Sequence, residues 1–179
     1  MKKIYNFILL VLMLGYSTSC DQNFDELNTN KVAATSIDPA FQLNNATVNA
    51  SPNSFGMLVY EMGIVQQIIS PNSGVLTGAN FNQDNRASTQ DNWQKYFRNV
   101  IKNTKDIISR IEDDPTRSNL LQMTRIIQAY GFMILTDSYG SIPYSEAGVG
   151  YSNQVFYPKY DTQESIYADL IKELEEASA

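Results

Sequence analysis

The spacing of apolar residues points to an all-α protein of antiparallel helical hairpins joined by long irregular loops. Two observations carry this expectation. Apolar residues recur every three or four positions in several segments, and no segment alternates apolar with polar residues over the length of a strand. Between the periodic segments lie clusters of Pro, Gly, Asn and Asp, where helices stop. Composition sets the outer bounds. With 179 residues there is about one domain's worth of chain. At 43% hydrophobic and 18% charged it is neither disordered nor a set of membrane spans. One Cys excludes an internal disulfide and a cysteine-rich zinc site, and no His excludes Ser-His-Asp and Cys-His chemistry. A net charge of −6 lacks the basic footprint that nucleic acid requires.

The first residues, Met1-Lys2-Lys3, precede an apolar stretch over 4–14 and a run of small residues ending in Cys20. A basic head, an apolar body too short to span a bilayer and a small-residue end form a secretory signal. The only Cys stands where cleavage falls, so residues 1–19 resemble a bacterial lipoprotein signal, in a relaxed form similar to those of Bacteroidetes. Cys20 is then the lipidated first residue, and several acyl chains on one residue hold a protein stably where one does not. Cleavage removes Lys2 and Lys3 and none of the 19 acids, so the net charge moves from −6 to −8. Such a chain is repelled by anionic lipid and stays near it through a tether. Residues 20–37, polar and without period, read as that tether. Residues 38–179 read as one helical region.

Within it, Asp38-Pro39 offers an N-cap and a first-turn proline, and a helix through Phe41, Leu43, Ala46 and Val48 ends before Ser51-Pro52. A second helix is expected over 55–69, stopped by Pro71. Residues 70–90 have no helical period and form a long loop of the kind that carries function. Asp91 then caps a helix to Ile111, with Trp93, Phe97, Val100, Thr104, Ile107, Ile108 and Ile111 on one face and the lysines and arginine opposite. Asp113-Asp114-Pro115 breaks it. The next helix, 118–136, has an apolar face wide enough for burial on more than one side. These two helices make a hairpin of tetratricopeptide-like form. Residues 138–160 are irregular and aromatic. Asp161 with Glu164 forms a capping box for a last helix, whose stripe holds Ile166, Tyr167, Leu170, Ile171, Leu174 and Ala177. That stripe is still in phase at the final residue and the last turn is acidic, so the chain reads as the front part of a longer protein.

One stretch carries a family resemblance: Asp137-Ser138-Tyr139-Gly140-Ser141-Ile142-Pro143-Tyr144-Ser145-Glu146-Ala147, after a helix ending Phe132-Met133-Ile134-Leu135-Thr136. With Pro158-Lys159-Tyr160-Asp161 and residues 163–170, it resembles the SusD/RagB family of outer-membrane nutrient-binding lipoproteins. Ser141 stands where that family has an acidic residue. The resemblance implies a SusD-like α-helical fold lying over a SusC-like TonB-dependent transporter, to which it delivers an oligosaccharide, or in some relatives a peptide. It implies no catalysis, metal or cofactor.

The residues also have a reading of their own. Gly140 permits the turn that ends a helix, Pro143 keeps the chain extended, and Tyr139 and Tyr144 can lie flat on helices with their hydroxyls in water. Asp137, Tyr139, Gly140, Pro143, Tyr144 and Glu146 are therefore expected to build scaffold. Ligand contacts are expected from the 70–90 loop, at Asn80, Phe81, Asn85 and Arg86, which join an aromatic face for sugar C–H stacking to amide and guanidinium donors. Two alternatives stand beside binding. A surface glycosidase would draw its paired carboxylates from Asp113/Asp114 or Glu173/Glu175/Glu176. A helical-repeat module would bind another protein through its groove.

Overall fold

A computed structural model describes residues 37–52, 62, 67 and 86–179. The described helices belong to one unit, Ile37–Ala179. The expected tether, the helix over 55–69 and most of the 70–90 loop lie outside the described residues.

Helix α1 (Pro39–Ala50) begins where its cap chemistry dictates: the Asp38 carboxylate accepts from the Ala40 backbone N–H at 2.8 Å. The same carboxylate receives Arg117 through both guanidinium nitrogens, at 3.2 and 3.0 Å. These partners, Arg117 first, hold the Asp38 carboxyl below its ordinary pKa. Leu43, Ala46 and Ala50 form the buried edge of α1.

The next helix is one continuous rod with a defect: α2 (Arg86–Lys95), a π-helical segment (Tyr96–Ile101) and α3 (Lys102–Ile111). It starts before Asp91, correcting the expected cap. Tertiary contacts hold this added turn, since the Tyr139 hydroxyl donates to the Thr89 carbonyl at 2.6 Å. The buried face also differs from the expected one. Tyr96 and Ile101 join Val100, Thr104, Ile107 and Ile111 inside, whereas Trp93 and Phe97 are half-buried. The π segment is the cause, because its wider turn inserts a residue and advances the face, so Val100 and Ile101 are both fully buried. Thr104, also fully buried, shares its hydroxyl proton between the carbonyls of Val100 (2.9 Å) and Ile101 (3.1 Å). Lys105 departs from expectation as well, lying half-buried rather than on a solvated face.

Asp114 caps a 3-10 turn (Pro115–Arg117) by accepting from the Thr116 backbone N–H at 2.9 Å, and α4 (Ser118–Tyr139) follows. It returns antiparallel to α3, as the hydrogen bond from Gln128 Nε2 to Thr104 Oγ1 (3.0 Å) records. Gly131 permits the close crossing, since a Cβ there would lie 2.9 Å from Val100 Cγ1. Its wide apolar face is only partly covered in the described structure: Phe132 and Leu135 are buried, while Met123 and Ile126 are exposed.

Residues read as irregular contain a small antiparallel ladder. Strand β1 (Ile142–Pro143) pairs with β2 (Tyr160–Asp161), Ile142 opposite Asp161 and Pro143 opposite Tyr160. Two-residue strands leave no alternation to read. Between them lies a single helical turn, α5 (Gly150–Asn153).

Helix α6 (Gln163–Ser178) is capped by Thr162, whose hydroxyl accepts from the Ser165 backbone N–H at 3.3 Å. Asp161 is not the cap, because its carboxylate is taken by Ser145. The expected stripe divides: Ile166, Leu170 and Ala177 are buried, while Ile171 and Leu174 are exposed. Apart from the ladder and its loops, the described chain is helical, and α1, α3, α4 and α6 pack in succession as antiparallel neighbours. The main core gathers Tyr96, Val100, Ile101, Phe132, Leu135, Ile142, Ile166 and Leu170; a smaller one joins Leu43, Ile107 and Ile111.

Candidate functional site

The loop from Asp137 to Ala147 ties four elements together. At its start α4 ends on Gly140, with φ 74 and ψ −119, and the Gly140 N–H donates to the Thr136 carbonyl at 2.8 Å. The Thr136 hydroxyl donates to the Gly140 carbonyl at 2.7 Å, and Gln163 Nε2 donates to the Thr136 carbonyl at 2.8 Å. Asp137 lies in the last turn of α4 and accepts from the Tyr167 hydroxyl at 2.5 Å, which raises that phenol's pKa.

Both tyrosine hydroxyls find protein partners at exposed positions. Tyr139 reaches α2 through Thr89 and meets Trp93 edge-on, with centroids 5.1 Å apart. Trp93 in turn contacts Phe97 and Tyr160, at 4.6 and 6.4 Å. Tyr144 stands edge-on against Phe132 at 4.6 Å instead of lying flat. Its hydroxyl donates to Asp169 at 2.6 Å. Burial first, then the adjacent Asp169 carboxylate, pushes this phenol well above the usual tyrosine range.

Pro143 is buried in β1, and Glu146 accepts from the Lys159 backbone N–H at 3.0 Å. Ser145 gives both its backbone N–H and its hydroxyl to Asp161 Oδ2, each at 2.8 Å. That backbone hydrogen bond is the leading reason the Asp161 carboxyl sits below its ordinary pKa. Ser141 is exposed.

Where this loop meets α3, α4 and α6 there is a cavity of about 360 Å³. Its polar lining includes Lys105, Gln128, Tyr144, Ser145, Asp169 and Glu173. Arg125, also on the wall, is occupied by Glu173 (3.0 Å), Glu176 (2.7 Å) and Gln122 (3.1 Å). Burial holds the Lys105 pKa down, against the opposing pull of Glu173 and Asp169. Gly148, at φ 76, lies against the lysine stem, and a Cβ there would be 3.0 Å from Lys105 Cγ. Among the described residues no group of three His, Cys, Asp or Glu side chains could hold a metal ion, and no helix is long and apolar enough to cross a membrane.

Of the expected ligand contacts, Asn80, Phe81 and Asn85 lie outside the described residues, as does Cys20. Arg86 is the first residue of α2 rather than part of a loop. Of the motif residues, Asp137 and Tyr139 lie in the last turn of α4, and Gly140, Pro143, Tyr144 and Glu146 lie in the segment that follows it. Of the acids weighed for hydrolysis, Asp114 serves its own turn, and Glu173 and Glu176 meet only as the two partners of Arg125. Lys105, Gln128 and Asp169 escaped sequence reasoning, because on a helix a lone Lys, Gln or Asp looks like solvated surface.

The chain belongs to the SusD-like family, described as starch-binding associating with outer membrane, whose family model matches residues 29–179. Two solved structures are similar. One is a chitin-binding protein, 32% identical with a TM-score of 0.66 over 78% of this chain; the other is described as a Bacteroidetes SusD-like protein, 27% identical with a TM-score of 0.64 over 79%. The matched region spans 30% and 26% of those two chains. Comparison with curated protein sequences finds no match.

Proposed function

We propose that this protein is a lipid-anchored, surface-exposed outer-membrane lipoprotein that binds a glycan and passes it to a SusC-like TonB-dependent transporter. The observation that carries the glycan reading is the family match over residues 29–179, together with 32% identity to a chitin-binding protein. The lipoprotein-like start at Cys20 supports the anchor, and the family's association with the outer membrane supports the location. In this reading the loop holding Asn80, Phe81, Asn85 and the start of α2 at Arg86 makes ligand contacts. Asp137, Tyr139, Gly140, Pro143, Tyr144 and Glu146 hold the scaffold.

Binding without hydrolysis is favoured by the state of the acids. A glycosidase acid needs a carboxyl whose pKa is raised by apolar surroundings. Here Asp114 is held below its ordinary pKa by Thr116, and Glu173 forms an ion pair with Arg125.

The test is titration of the full-length protein with tri-N-acetylchitotriose and maltotriose by calorimetry, followed by chromatography of the sugar. Saturable binding with the sugar recovered intact is expected. Cleavage of the sugar, or binding of peptides with no response to either glycan, overturns the proposal. For the anchor, Cys20→Ala is expected to move the protein from the membrane fraction to the soluble one; unchanged membrane association refutes it.

A further inference from the structure

We infer that the cavity between α3, α4, α6 and the motif segment is a saccharide site in its own right, taking one neutral sugar unit and lined, among the described residues, by none of Asn80, Phe81, Asn85 or Arg86. The inference rests on the glycan reading above and adds a location and a charge preference to it.

The hydrogen-bonding groups around the cavity are unevenly satisfied. Lys105 carries three N–H donors, and among the described residues no hydrogen bond or ion pair reaches its ammonium. The carboxylates that face it are engaged elsewhere: Asp169 Oδ2 takes the Tyr144 hydroxyl, and Glu173 Oε2 takes Arg125. Gln128 Nε2 gives one of its two N–H bonds to Thr104, which leaves one N–H as a donor and Oε1 as an acceptor. Ser145 spends its proton on Asp161, which leaves its oxygen as an acceptor. The Lys105 ammonium and the remaining Gln128 N–H therefore stand as donors beside several acceptors around the cavity. Vicinal hydroxyls match that set, since each can donate to a carboxylate or amide oxygen while accepting from the ammonium.

Charge narrows the ligand further. Lys105 and Arg125 balance Asp169 and Glu173, and Glu176 beside Arg125 tips the surroundings negative. An anionic ligand meets carboxylates and a cationic one meets Lys105, so a neutral molecule fits. Phe132 and Leu170 back the cavity from within the core, and the half-buried Ile108 and ring of Tyr144 are the apolar surface that a sugar C–H face can meet. The volume lies at the lower end of the roughly 300–1,000 Å³ of small-molecule sites. The lysine's place is built rather than incidental. Gly148 leaves the room that its stem occupies, and partial burial of the ammonium carries a desolvation cost that a bound oxygen would offset.

The test uses the full-length protein with tri-N-acetylchitotriose and maltotriose as probes. Acylation of amines at limiting reagent, read by mass spectrometry, reports each lysine separately. Saturating sugar is expected to slow modification of Lys105 at least about fivefold while Lys159 and Lys172, on exposed surface, are unchanged. Lys105→Met and Asp169→Asn are each expected to weaken binding about tenfold, the loss of one charge-assisted hydrogen bond. If a sugar binds but Lys105 reactivity is unmoved, the cavity is not its site and the inference is overturned, while the glycan reading stands. If neither sugar binds the wild type, the glycan reading fails and the inference fails with it. Protection is measured on the wild-type chain, so it decides the matter even where a variant does not fold.

Discussion

Gly140 is where a single methyl group tests the motif loop. A Cβ at this position has no atom within 4 Å, so adding one creates no clash with neighbouring groups. The whole cost of Gly140→Ala lies in the backbone, which holds φ 74 and ψ −119, away from the left-handed basin near φ 57, ψ 47. Conformations of this kind cost a non-glycine residue on the order of 1–3 kcal/mol. Alanine regains about 0.4–1 kcal/mol by restricting the unfolded chain. The expected net loss is about 1–2 kcal/mol, or a fall in Tm of roughly 2–8 °C for a region of this size. Circular dichroism melts and urea unfolding of the full-length protein measure it, with the urea slope unchanged. Gly140→Asn sharpens the test. Asparagine tolerates the ordinary left-handed basin but gains nothing at ψ −119, so it is expected to lose as much as alanine. If either variant is as stable as the wild type, the turn is not held in this conformation.

Three further outcomes follow from the geometry. Removing Arg125 and Glu173 singly and together should give a coupling of about 0.5–1 kcal/mol in a double-mutant cycle, shrinking in 1 M salt; a coupling indifferent to salt would contradict an ion pair. Asp161 has a depressed folded pKa, so its contribution is complete above the unfolded value near 3.9 and is lost as pH falls through the folded value. Asp161→Asn should therefore flatten the acid limb of a stability–pH curve, and an unaltered limb argues against the Ser145 contact. Tyr144 has a raised folded pKa, so its share of stability is present below the unfolded value near 10 and is lost as pH rises beyond it. In Tyr144→Phe that alkaline loss should diminish; a curve identical to wild type would show that the phenol is free to ionise.

How far the residues could be read depended on whether a local signal existed. Asp38 before Pro39 announces α1, and Asp113-Asp114-Pro115 announces the break before α4, because capping and proline geometry act within a few residues. The motif from Asp137 to Ala147 was recognisable as a unit, and Gly140 as a helix terminator. Apolar spacing does not reveal the buried face of the 86–111 helix, because a π segment is a defect in the period. Tyr96 and Ile101 therefore came inside unannounced. Asp161 looked like a cap since an acid beside Thr162 and three residues before Glu164 fits that role locally. Its carboxylate instead answers Ser145, 16 residues earlier in the chain.

By itself the sequence determined the all-α class, several helix ends and the family motif. All of these rest on periodicity or short-range chemistry. The tertiary structure alone decided which hydroxyls and carboxylates meet. Tyr144 finds Asp169 across 25 positions, and Gln128 finds Thr104 across 24. It also drew Lys105 out of solvent and against a cavity beneath Gly148. No pattern along the chain marks such pairs, because a polar helical residue looks solvated until another helix is laid against it.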